Sequence, residues 1–232
     1  MSASVAKPSP DATAGLRNPL ERLLHGLNQP LTGLQCSLEV ALAAPRTVEY
    51  YQQRLREGVD LAERMRALVV AIREVAEEES ETELGSTTDG DAVLREVVEG
   101  LQLVAEAKKV RLRIESSAAF PLTVHMSRQK TTSLLFRMIE SALSLAAGES
   151  EVRIQARGLK PGATKAAAAE AWIGMRWRGV PGPEFSPPEL GLLVAQAGWE
   201  RAGAKWERER LENTESVTVW LAGKPPGKFE TS

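Results

Sequence analysis

Residues 18 to 44 read "NPLERLLHGLNQPLTGLQCSLEVALAA", and the organisation of the chain is worked out from this stretch. Asn18 as N-cap, Pro19 at the first helical position and Glu21 at the third make a capping box, which predicts a helix start. From Leu20 the apolar residues fall at Leu24, Leu27, Leu31, Leu34, Leu38 and Ala41, alternating steps of four and three. That alternation is the seam of a coiled-coil-like bundle. "APRT" breaks the helix, and Thr47 can cap a second one, whose seam runs Val48, Tyr51, Leu55, Gly58, Ala62, Met65, Val69, Ile72 and Ala76. Leu61, Leu68 and Val75, each one residue before a seam position, widen this stripe beyond what a single partner helix covers. Two such hairpins related by a two-fold axis would bury it as a four-helix bundle, so residues 18 to 79 are expected to form a homodimer. The alternative cover is the rest of the same chain.

The whole chain of 232 residues has room for one domain or two, and 43% hydrophobic content suffices for a core. With 29 basic against 31 acidic residues and a net charge of -2, it has no electrostatic footprint for nucleic acid. The single cysteine, Cys36, excludes an intramolecular disulfide and a multi-cysteine zinc site. No apolar run is long enough to span a membrane, and "MSASVAKPSPDATAG" lacks the apolar core of a signal peptide. A cytoplasmic protein with no membrane association and a disordered start, residues 1 to 17, is expected.

An acidic stretch rich in Ser, Thr and Gly, "EEESETELGSTTDG" from Glu77 to Gly90, ends the hairpin, and residues 80 to 90 read as a linker. A second domain, 91 to 222, is expected beyond it: helix to about Ala107, strand "VRLRIE" (110 to 115), short strand "LTVHM", and helix from about Ser127 to Ala147. Strands 151 to 157 and 171 to 178 follow, then a helix from about Pro188 to Ala202 and two closing strands, "KWERERL" and "SVTVWLA". "KAAAAEA", 165 to 171, fits either a helical insertion or a loop, and 223 to 232 reads as a tail. The expected class is α+β, a helical hairpin followed by an α/β sandwich of one sheet under a helix layer.

Within the first helix, His25 lies one step outside the seam, with Asn28, Gln29 and Thr32 on its face at i+3, i+4 and i+7. Pro30 deletes the helix hydrogen bond to the Gly26 carbonyl, a cost of about 3 kcal/mol in a regular helix interior. A neutral imidazole is an available nitrogen nucleophile that can carry a covalent group through a two-step transfer. A lone helical histidine is more often a solvated or packing residue.

The stretch "LLHGLNQPLTGLQ" resembles the phosphoacceptor motif of sensor histidine kinases: His, acidic, aliphatic, polar, polar, Pro, Leu, on the first helix of a dimeric hairpin. The resemblance covers residues 18 to 79 as a dimerisation and phosphotransfer domain and, more weakly, 89 to 222 as the ATP-binding domain. It implies that His25 is the phosphoacceptor and that Asn28, Gln29, Pro30 and Thr32 shape the surface met by a receiver domain. One departure is Gly26, where the family has the acid that serves as general base for attack on ATP. Transfer between His25 and a receiver aspartate needs only positioning and a metal ion held by the receiver.

The second half departs further. Where the family has asparagines holding magnesium and phosphates, "RMIESA" places Arg137 and Ser141, with Glu140 offset by one. Where it has Asp-x-Gly-x-Gly, "RGVPG" places Arg178 and Val180, and only Gly182 remains. Seven residues, "PEFSPPE", separate Gly182 from Leu190, with a single Gly191 after it, too little for a phosphate loop at a helix N-terminus. His125 and the five tryptophans, Trp172, Trp177, Trp199, Trp206 and Trp220, read as structural, the latter also as possible linings of the vacated cleft. The expected function is a histidine phosphotransferase of a two-component phosphorelay, with no cofactor of its own and Mg supplied by the receiver. The rivals are an active kinase core with a divergent ATP site and a non-catalytic dimeric adaptor that sequesters a response regulator.

Overall fold

The computed structural model describes residues 19 to 77, 86 to 116, 121 to 158, 169 to 179 and 183 to 222. The Asn18 cap, the start, most of the acidic linker, residues 180 to 182 and the tail lie outside the described residues. The chain divides into two compact units, Met1–Arg73 and Glu74–Ser232.

The first unit is built on α1 (Pro19–Leu42) and most of α2 (Val48–Glu77), whose last turn, from Glu74, belongs to the second unit. Thr47 Oγ1 accepts the Tyr50 N–H at 3.3 Å, which satisfies one of the donors left open in the first turn of α2. The helices run antiparallel and in close contact: a Cβ on Gly58 would stand 3.3 Å from Leu34 Cδ1, and one on Gly33 would stand 3.8 Å from Leu61 Cδ1. The seam of the sequence pattern divides. Leu27, Leu34 and Ala41 are half-buried together with Pro30, whereas Leu24, Leu31 and Leu38 are about half exposed. On α2, Leu68, Ala71 and Val75 are buried and Leu61 and Met65 half-buried, while Val48, Leu55 and Val69 remain open. One antiparallel neighbour covers only part of a stripe this wide, so one edge of each seam stays in solvent.

The second unit contains α3 (Gly90–Ala107), α4 (Arg128–Leu145), α5 (Pro187–Arg201) and strands β1 (Thr88–Asp89), β2 (Arg111–Ser116), β3 (Thr123–Val124), β4 (Glu151–Gly158), β5 (Ala169–Arg178), β6 (Lys205–Leu211) and β7 (Thr214–Ala222). The main sheet has the order β2-β4-β5-β7-β6, parallel between β2 and β4 and antiparallel elsewhere. Alternation along the strands turns Val152, Ile154, Ile173, Met175, Trp177, Val217 and Val219 into one core with Leu94, Leu101, Leu135, Met138, Ile139 and Trp199 of the helices. All three helices thus cover one face, and the other is solvated. Trp206 packs against the core, while Trp172 and Trp220 stand on the opposite face, 6.3 Å apart between ring centroids. His125 is half-buried just beyond β3.

Two segments differ from the sequence reading. Thr88 and Asp89, read as linker, pair with β3, and Asp89 Oδ1 accepts the Ala92 N–H at 3.0 Å as the cap of α3. A two-residue strand offers no alternation for a sequence pattern to detect. Strand β5 begins at Ala169, so the last residues of the "KAAAAEA" segment are strand and residues 165 to 168 lie outside the described set.

Candidate functional site

Helix α1 continues unbroken through Pro30 and presents His25, Asn28, Gln29 and Thr32 all exposed on one face. Thr32 Oγ1 donates to the Asn28 carbonyl at 2.9 Å, a back-bond within the helix of the kind that bends helices slightly. The His25 imidazole has no hydrogen-bond partner among the described residues, and its exposed position leaves it open to a macromolecular partner. Gly26 is buried, so the position that carries the acid in the resembled motif has neither a side chain nor open solvent here. Glu21, used in the sequence reading only as a capping residue, is exposed one turn before His25 on the same face.

In the second unit, three of the five positions read as remnants of a nucleotide site come together. A Cβ on Gly191 of α5 would stand 2.2 Å from Ser141 Oγ and 3.8 Å from Arg137 Cγ, both of α4. The two helices therefore pack in direct contact where asparagine side chains and a glycine loop would have to face a ligand. Ser141 is fully buried, and its hydroxyl has no partner among the described residues. Arg137 makes a bidentate pair with Glu74, at 2.9 and 3.1 Å. Arg178 is not part of this cluster; it stands exposed at the end of β5 on the helix-free face, and Gly182 lies outside the described residues. Gly179 between them is required by close approach, since a Cβ there would stand 2.1 Å from the Leu145 carbonyl oxygen.

The first turn of α5, where a lid would deliver phosphate to backbone N–H groups, is taken by an ion-pair network. Glu189 is buried and receives Arg208 at 2.7 and 3.0 Å, and Arg208 and Arg210 also donate to the buried Glu215, each at 2.7 Å. Burial opposes the charge on Arg208, but Glu189 and then Glu215 outweigh it and raise its pKa above the ordinary arginine value. These carboxylates already engage both guanidinium groups at this helix end. Among the described residues, Arg137, Ser141 and Gly191, at positions where the resembled family holds ATP and its magnesium, are engaged by packing and ion pairing. Among the described residues no group of three His, Cys, Asp or Glu side chains stands together to hold a metal ion, and no helix is long and apolar enough to cross a membrane.

No protein-family model and no curated protein matches the chain. Among solved structures it is similar to histidine kinase AdeS of Acinetobacter baumannii, with 85% of this chain aligned to 97% of that one at 16% identity and a TM-score of 0.53. The chain has the fold of a histidine kinase core. The same fold is seen in histidine kinase ThkA, solved in complex with response regulator protein TrrA, over 90% of this chain and 61% of that one (18% identity, TM-score 0.56). It recurs in full-length ShkA, solved in complex with AMPPNP, over 90% of this chain and 47% of that one (15% identity, TM-score 0.52). At such identities the likeness is one of fold, and the activity of this histidine kinase-like core is argued from its own residues.

Proposed function

We propose that this chain is a dimeric histidine phosphotransferase of a two-component phosphorelay. His25 takes a phosphoryl group from the aspartyl phosphate of one receiver domain and passes it to the aspartate of another, without ATP. The observation that carries this reading is the combination of an open His25 face with a histidine kinase fold in which Arg137, Ser141 and Gly191 are consumed by packing and ion pairing. In the forward step an imidazole nitrogen attacks phosphorus while the bond to the aspartate oxygen breaks, the carboxylate leaving with the electron pair; the second receiver reverses the step. The magnesium ion that screens the phosphoryl oxygens is held by the receiver, and Asn28, Gln29, Pro30 and Thr32 form the surface it approaches. The exposed edges of the hairpin, Leu24, Leu31 and Leu38 with Val48, Leu55 and Val69, support a second copy completing a four-helix bundle. That ThkA was solved with a response regulator supports a receiver as partner.

A second reading, an active kinase core with a divergent ATP site, draws support from the ShkA structure with AMPPNP. The buried Gly26 and the filled space between α4 and α5 weigh against it. Incubation with a phosphorylated receiver should move label onto the chain, and His25→Ala should abolish this while leaving the dimer intact. Label retained on the His25→Ala protein would overturn the assignment.

A further inference from the structure

The helix-free face of the main sheet carries a second group of side chains that the phosphotransfer reading does not use. Strand register places Arg113 opposite Arg153, and Arg153 opposite Arg176, a row of three like charges across β2, β4 and β5. Like charges directly opposite one another weaken a sheet. Arg153 is compensated by Glu151 at 3.0 Å, and Glu115 lies 3.4 and 3.5 Å from Arg113 and Arg153. The guanidinium groups of Arg176 and Arg178, exposed on the same strand, have no hydrogen bond or ion pair among the described residues.

Two clefts of about 220 and 380 Å³ run over this face and share Arg153 and Arg176, so these arginines stand at the middle of one continuous groove. One end is lined by Trp172, Gly174 and Glu209, the other by Arg178, Glu151 and the turn from Ala147 to Ser150, which carries Glu149. A Cβ on Gly174 would stand 2.6 Å from Trp172 Cζ3, so the glycine is what lets the indole lie over the strand backbone. A planar ring thus borders the groove, with unpaired guanidinium groups beyond it. Four residues of strand, about 13 Å, separate Trp172 from Arg176. With the reach of an arginine stem, that is the span from the base to the terminal phosphates of an extended nucleotide.

We propose that this groove binds a free nucleoside diphosphate or triphosphate, its base stacked on Trp172 and its phosphates held by Arg153, Arg176 and Arg178. The site lies on the opposite face of the sheet from α4 and α5, and the nucleotide acts there as a ligand, not as a phosphoryl donor. Guanidinium forks match phosphate oxygens two at a time, and aromatic side chains stack bases of any identity. Glu209 of β6, which lines the cleft across from Ser216, and Glu151 and Glu149 at the other end limit the cationic track to a few residues. A short free anion fits that limit better than a nucleic-acid strand, which the net charge of -2 also disfavours.

The test is calorimetric titration of the full chain with ADP in EDTA, which removes any metal-dependent binding. Saturable binding is expected, weakened at least about tenfold by Trp172→Ala or by Arg176→Glu and kept within about threefold by Trp172→Phe. Arg178→Glu provides a second charge variant, and equal urea midpoints identify the variants that remain folded. The proposal is overturned by an absence of saturable binding, by binding unchanged in the folded variants, or by polyglutamate or a single-stranded oligonucleotide occupying the same residues more tightly than ADP.

Discussion

Replacing Gly191 by alanine tests how closely α4 and α5 approach at the positions where a nucleotide would need room. The added Cβ would stand 2.2 Å from Ser141 Oγ, a distance that cannot be held, so either the hydroxyl rotates into a filled core or the helices separate. Overpacking of this kind costs about 1–3 kcal/mol. Exchanging a helical glycine for alanine returns up to about 1 kcal/mol, so Gly191→Ala alone should destabilise by up to about 3 kcal/mol, with about 1–2 kcal/mol the central expectation. Ser141→Ala removes a buried hydroxyl that has no partner and should be neutral or stabilising. In the double variant the nearest approach becomes that to the residue 141 Cβ, 3.6 Å, an ordinary contact. The double variant should therefore be at least as stable as the parent, giving a coupling of about 1–3 kcal/mol in the four-protein cycle. Urea unfolding with unchanged m-values supplies the numbers. A neutral Gly191→Ala with additive behaviour in the double variant would refute the packing and reopen this space to a ligand.

Two further outcomes are expected. The chain should sediment as a dimer at micromolar concentration, and Leu31→Glu with Leu38→Glu should make it monomeric while α1 keeps its helical signal; a monomeric parent protein would contradict the bundle. Arg208→Met should destabilise the second unit by about 3 kcal/mol, the lower end for breaking a buried ion pair because Arg210 remains beside Glu189 and Glu215. An unchanged unfolding midpoint would remove the network from the account.

Much of the architecture was legible because its signals are local. The heptad-like steps mark α1 and α2, and period-two alternation marks the strands; the structure places α4 at Arg128–Leu145 and caps it with Ser127, whose Oγ accepts the Lys130 N–H at 3.3 Å. The hairpin pattern reads as one seam, but which of its residues are covered depends on helix rotation, and so the burial of Leu68 and the exposure of Leu55 and Val69 emerge only in three dimensions. His25 stood out because the motif is contiguous, whereas the meeting of Arg137, Ser141 and Gly191 depends on two helices some fifty residues apart in the chain. The arginine row of β2, β4 and β5 is invisible in sequence for the same reason. Each arginine looks like an ordinary solvent-facing residue until register sets it opposite another.

The most direct measurement offers the chain two phosphoryl sources in parallel, Mg-ATP alone and a phosphorylated receiver domain with Mg, and locates the phosphoryl group by mass spectrometry at neutral to alkaline pH. The account predicts phosphohistidine at His25 from the receiver and none from ATP. Phosphohistidine formed from ATP alone would contradict it and make the chain a kinase.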